Sequence, residues 1–293
     1  MKFSLSVLWV LAASVNALGQ QPIPHNAGQK PNIVVILTDD QDLHMDSVDY
    51  MPLLKKHVID HGTFYKHHYC STAICCPSRV TLWTGRNAHN TNVTDVFPPY
   101  GKFSCTSNIS GLTKYSGGYP KFVVQGFNKN WLPLWLQAAG YSTYYTGKLF
   151  NAHTIENWNS PHPSGWTSSD FLLDPHTYQY LNASFQRNDQ PPVSYEGQYS
   201  TDILAEKAYG LLNEGIESAK PFFLTVAPVA PHSNVDPFPT TGTPEDALKD
   251  IHMTAPIPAE RHKHLFPDAK VPRRSNFNPE KVFLREDYLS EQS

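Results

Sequence analysis

Cys75 opens the run Cys75-Cys76-Pro77-Ser78-Arg79, a thiol followed four residues later by a guanidinium. Pro77 and Ser78 suit the first turn of a helix, where a backbone N–H has no intrahelical partner. A side chain at Cys75 would then face free N–H groups and the positive end of the helix dipole, a setting that favours a thiolate or a bound oxyanion. Arg79 adds a planar, permanent cation suited to a carboxylate, phosphate or sulfate. On residue types alone, a buried structural cysteine beside a helix start with a surface arginine fits equally well.

Three other places carry reactive groups. Asp39 and Asp40 are adjacent carboxylates that repel, and a shared cation relieves that repulsion; a solvated acidic turn is the plainer reading, and Asp42 reads as a loop residue. Lys148 follows Gly147 at the end of the stretch Tyr141 to Thr146, and His232 follows Ala227-Pro228-Val229-Ala230-Pro231. Taken singly, these are an ordinary loop charge and a structural histidine. His57, His61, His67 and His68 match no zinc spacing and read as surface residues.

The elements needed to bring these groups together are also in the sequence. Asn32 to Thr38 is a β-branched run that reads as a strand buried on both faces, the central parallel strand of an α/β sheet. Its carboxyl end delivers Asp39 and Asp40 to the edge where ligands bind in open α/β sheets. Pro52 to His61 has helical spacing, Thr63 to Tyr69 reads as a strand, and Leu132 to Ala139 as a helix stopped by Gly140. Tyr141 to Thr146 is the strand before Lys148. Trp166 to Asp189 reads as aromatic loops with a hairpin. Ser200-Thr201-Asp202 is expected to cap a helix running to about Ala219, and Phe222 to Val226 is the strand before His232.

The run Cys75 to Gly85 resembles the sulfatase signature at every fixed position. The resemblance implies that a formylglycine-generating enzyme oxidises Cys75 to formylglycine, whose hydrate is the nucleophile, and that Arg79 holds it. It also implies that Asp39 and Asp40, with the converted Cys75, bind one calcium ion. Gly140 to Lys148 resembles the second sulfatase signature, which places Lys148 on the substrate sulfate, and the Ala227 to His232 run gives His232 the same role. Phe150 stands where many members carry a histidine, with Asn151 and His153 following; this fits the branch of fungal arylsulfatases and N-acetylglucosamine-6-sulfatases. The implied fold is the alkaline-phosphatase-like α/β architecture, a central mostly parallel sheet flanked by helices. The implied activity is hydrolysis of an aryl or sugar sulfate ester, and the alternative is a truncated, inactive homologue limited to binding. Cys75-Cys76 is not a C-x-x-C pair, which argues against a thiol-redox or zinc protein, and a phosphodiesterase of the same superfamily would carry threonine or serine at Cys75.

The remaining features concern processing and extent. Lys2 followed by the apolar run Phe3 to Val15 and the small residues Val15 and Ala17 predicts a signal peptide over 1–17, then a leader over 18–31. The run is too short to span a bilayer, so a soluble protein of the secretory route is expected. Sequons at Asn92, Asn108 and Asn182 agree with that route. A formal net charge of -3 and a pI near 6.5 point away from nucleic acid and anionic membranes as partners. Cys70 and Cys105 are within the range of possible pairings that sequence leaves open. The catalytic domain is expected over 32–278, incomplete because the family's later metal ligands and second lysine do not follow His232. Lys102 to Ser116 reads as an insertion, for which a retained intron is one source, and 279–293 as an atypical tail in which Val282 to Ser293 is unlike family sequence.

Overall fold

The computed structural model describes residues 30–96, 117–236, 252–275 and 277. The chain divides into a short unit, Met1–Asn32, and a body, Ile33–Ser293; the fold described is that of the body. Lys102 to Ser116, Cys105, the Asn108 sequon, the signal segment and the tail lie outside the described residues.

The body contains, in chain order, β1 (Ile33–Ile36), α1 (Pro52–His57), α2 (Cys75–Thr84), α3 (Ala88–Thr91), α4 (Gly118–Val124), α5 (Leu132–Ala138), β2 (Ser142–Lys148), β3 (Ser168–Leu172), β4 (Asn182–Arg187), β5 (Val193–Glu196), α6 (Ser200–Glu217), β6 (Phe222–Ala227), β7 (Asn234–Val235) and β8 (Met253–Thr254). Six strands form one sheet in the order β1-β6-β2-β3-β4-β5. The first four of these run parallel, and β4 and β5 continue the sheet antiparallel. This is the α/β, mostly parallel sheet expected. The hairpin expected in Trp166 to Asp189 is the β3–β4 pair.

Alternation along the strands builds two cores. Tyr145 and Phe223 face α2 and its buried Val80 and Trp83, whereas Tyr144, Phe222 and Leu224 face α6 and its buried Leu211. Trp83 is the centre of the first core; its indole meets Trp131, Tyr145, Trp166 and Phe223 edge-on. Cys76, Val80 and Trp83 recur at helical spacing and put one stripe of α2 inside. Gly85, at φ +66°, ends the helix in the left-handed conformation with its N–H on Thr81 O.

Four expectations need correction. β1 is parallel but lies at the sheet edge, and it is not buried on both faces: Val34 and Ile36 are 52% and 64% exposed. Val34 pairs in register with Leu224, which α6 covers; the cover does not extend across β1. Thr63 to Tyr69 forms no strand; every residue from 61 to 71 is exposed, and the segment pairs with no strand among the described residues. Pro52 to His61 is split into α1 and a 3₁₀ turn at Ile59–His61. Ser200 is the first helical residue of α6, not its cap; Tyr199 precedes it without a side-chain cap bond. Asp202, in the first turn, takes both guanidinium nitrogens of Arg261 instead.

Candidate active site

The carboxyl ends of three adjacent parallel strands meet at one point. β6 lies between β1 and β2, so Asp39 after β1, His232 after β6 and Lys148 at the end of β2 converge. Backbone bonds fix the convergence: Leu37 N–H donates to Val226 O and Asp39 N–H to Ala230 O. Gly147, at φ +105°, lets β2 approach β6; a Cβ there would lie 2.0 Å from Ala227 O. The fourth contribution is the N-terminus of α2, which begins at Cys75. Ile74 precedes it in an extended conformation, and Pro77, lacking an N–H, falls in the first turn where none is needed.

Asp39 is the hub. It is 4% exposed, its Oδ1 accepts from Arg79 Nη2 at 3.0 Å and its Oδ2 from Lys148 Nζ at 2.5 Å. Burial pushes this carboxyl up, but the Lys148 ammonium and Arg79 guanidinium outweigh it and hold the pKa at about 2. Arg79, expected at the surface only if the cysteine were merely structural, is buried; burial opposes its charge, and Asp39 restores it, raising its pKa. Its Nη1 donates to Lys148 O at 2.5 Å, an acceptor shared with the Tyr145 hydroxyl. Thus one carboxylate fixes the cations of two elements.

Cys75 Sγ lies 3.9 Å from Asp39 Oδ1. Burial raises its pKa, and Lys148 and His232 together lower it below the ordinary thiol value. Neighbouring Cys76 shows the contrast: it is fully buried, and burial pushes its thiol up to about 12. His232 Nδ1–H donates to Ser233 O at 2.8 Å, which turns Nε2 toward Asp40 Oδ2, 3.3 Å away. Burial lowers the imidazole pKa, but contact with Cys75 and Ser233 raises it overall.

A divalent cation fits this donor set. Asp39, Cys75 and His232 present ligand atoms all within 4.8 Å of one another. Asp40, in a left-handed conformation at φ 61°, has a carboxylate largely free in solvent beside them. Two carboxylates suit a hard cation, and replacing the Cys75 sulfur with oxygen would complete the change from soft to hard donors.

Residues just after β2, and several outside it, behave differently. Phe150 packs into the aromatic core against Phe122 and Tyr119, away from the site. His153 is fully buried against Tyr119 and Phe171, and burial drops its pKa to about 3, so it is neutral. Asn151 Nδ2 donates to Tyr178 Oη at 2.7 Å. Asp42 caps a 3₁₀ turn through His44 N–H, as a loop residue, and His57, His61, His67 and His68 are exposed. Tyr145 and Tyr178 escape sequence reasoning: nothing in their spacing marks them, and only the sheet and the loop after β3 bring them to Lys148.

The sulfatase family model matches residues 31–255, which contain every residue of this cluster. The chain belongs to the sulfatase family. It is 39% identical over 248 residues to an arylsulfatase of Volvox carteri, covering 84% of this chain and 35% of that one. It is 30% identical to the extracellular sulfatase SULF-1 homologue of Drosophila melanogaster, over 72% of this chain and 17% of the relative. The N-acetylglucosamine-6-sulfatase of Homo sapiens is 26% identical over 85% of this chain and 39% of its own. The chain therefore spans about a third or less of two of these relatives and 39% of the third.

Proposed function

We propose that this chain carries the sulfate-ester site of a sulfuric ester hydrolase. The observation that supports this most is the convergence of Arg79, Lys148 and His232 on Cys75 around the single carboxylate of Asp39. A sulfate monoester brings one negative charge and three terminal oxygens. Arg79 and Lys148 stabilise those oxygens from a buried setting, where fixed cations act more strongly than in water. Asp39 pairs with both cations and holds them in place, so the site needs no reorganisation as charge develops.

Formylglycine at Cys75 would supply, as its hydrate, the hydroxyl that attacks sulfur. Asp39, Asp40 and the converted Cys75 would hold one divalent ion, calcium in this reading, which supplies Lewis-acid polarisation of the sulfate. His232 has the role of proton donor to the leaving oxygen: Nδ1–H is committed to Ser233 O, which leaves Nε2 facing the site. His153 is unsuited to that role because it is buried and neutral.

The substrate class is an aryl or sugar sulfate, in keeping with the arylsulfatase and N-acetylglucosamine-6-sulfatase names of the relatives. The extracellular relative and the apolar segment after Lys2 support secretion. No helix among the described residues is long and apolar enough to cross a membrane. Asn92 is exposed at a helix end and suits N-glycosylation, whereas Asn182 is half-buried in β4 and donates to Gln179, so glycan attachment there would cost that bond.

The test is hydrolysis of 4-nitrophenyl sulfate by the chain co-expressed with formylglycine-generating enzyme and supplied with calcium. Turnover that disappears in Cys75→Ala, with urea unfolding unchanged, is the expected result. Equal turnover by Cys75→Ala overturns the assignment, and sulfate binding without turnover in either form identifies the binding-only homologue.

A further inference from the structure

One aromatic ring contacts both the lysine and the histidine that come from strand ends. Lys148 Nζ stands 4.5 Å from the centroid of Tyr178, and the His232 ring lies 4.4 Å from the same centroid. Tyr178 is 2% exposed, so it forms no wall against which a substrate could rest. Its hydroxyl is tied back by Asn151 Nδ2 at 2.7 Å. Both partners of that bond are themselves anchored. Asn151 O accepts from Tyr119 N–H, and the adjoining Ala152 N–H donates to Asp174 Oδ2 at 2.7 Å. On the other side, Tyr178 O accepts from Val235 N–H, and the Tyr180 hydroxyl donates to His232 O at 2.7 Å. The segment 178–180 thus grips the His232 loop by backbone and ring together.

A lysine has four rotatable side-chain bonds and a large rotamer entropy, so it holds one position only where its surroundings fix it. The negative face of an aromatic ring attracts the ammonium, the imidazole packs against the same ring, and a tyrosine ring moves through only two torsions. We propose that Tyr178, held by Asn151, is a positioning residue that fixes Lys148 and His232 against Cys75 and so sets the anion site. The bound anion being sulfate rests on the functional reading above; the positioning itself does not.

The experiment uses the full chain with Cys75 present as a thiol, verified by intact mass. Two readouts are taken at neutral pH: the rate of Cys75 alkylation by iodoacetamide, located by peptide mass, and the affinity for inorganic sulfate by titration calorimetry. Tyr178→Leu is expected to slow alkylation and weaken sulfate binding roughly tenfold each, the loss of one desolvated cation–π arrangement. Tyr178→Phe and Asn151→Ala keep the ring and release its anchor, and each is expected to slow alkylation roughly threefold, the size of a single weakened contact. A folded Tyr178→Leu with both readouts unchanged overturns the proposal. If that variant fails to fold, unchanged alkylation in Asn151→Ala and Tyr178→Phe overturns it. Absence of sulfate binding from every form, with the alkylation contrast intact, sinks the sulfate reading and supports the positioning role; equal sulfate binding and equal alkylation in all forms do the reverse.

Discussion

Two buried aspartates in this protein are each held by an arginine and a lysine. Asp39 lies between Arg79 and Lys148, at 3.0 and 2.5 Å. Asp170, on β3, lies between Arg187 and Lys207, both at 2.9 Å. The ingredients are the same, but the settings differ. The cations of Asp170 reach solvent in part and are also shared out: Arg187 donates to Glu214, and the Lys207 ammonium sits over Phe185 and Tyr195. The cations of Asp39 are buried and flank a thiol at a helix start and an imidazole held by Ser233 and Asp40. A buried ion cluster is therefore no sign of a site by itself. What distinguishes the first cluster is a pair of nearly water-free cations beside a half-buried thiol.

The largest expected difference between the clusters is in stability. Asp39→Ala removes the carboxylate paired with both buried cations and should cost about 3–5 kcal/mol, whereas Asp170→Ala, whose cations retain Glu214 and water, should cost about 1–3 kcal/mol. Urea unfolding of both variants measures this, and equal losses would erase the contrast.

A smaller effect follows from pH. The folded Asp39 pKa is depressed from 3.8 to about 2. Its stabilisation is thus complete above pH 3.8 and is lost as pH falls through about 2. The linkage amounts to about 2 kcal/mol. Asp39→Asn should flatten this part of the acid limb, and an unaltered slope would show that Asp39 is not held by its cations. His232 has the opposite sign: with its folded pKa raised above 6.5, its contribution is present below 6.5 and lost as pH rises through the folded value.

Reactivity separates the lysines. Lys148→Met should slow alkylation of Cys75 roughly tenfold, and Lys207→Met should leave it unchanged, because a thiolate responds to cations within a few ångströms. Equal effects would place the influence in general destabilisation. The smallest effect is expected at Glu214→Gln, which removes a half-exposed partner from the second cluster and should change stability by less than about 1 kcal/mol in urea unfolding.

The first cluster was legible in sequence because its residues lie in short local motifs at strand ends. Cys75 and Arg79 share a helix face, and Gly147-Lys148 and Pro231-His232 each follow a strand. The parallel sheet then makes their meeting a matter of strand order. The edge position of β1 was not legible, since an apolar run such as Ile33 to Ile36 states what it can bury but not what covers it. Tyr178 was hidden for a different reason. Its contacts with Asn151, Lys148 and His232 join segments far apart in the chain, and its neighbourhood in sequence is merely aromatic. The helix start at Ser200 was misplaced because capping residues compete with tertiary partners, here Arg261.

The central claim is that Cys75 is the residue converted to the nucleophile of a sulfate site. The most direct measurement is the mass of the Cys75 peptide from chain co-expressed with formylglycine-generating enzyme, before and after treatment with a hydroxylamine reagent. An aldehyde mass at Cys75 that shifts to the oxime is the predicted result. A peptide that remains an unmodified thiol, while a sulfatase produced alongside it is converted, would contradict the claim.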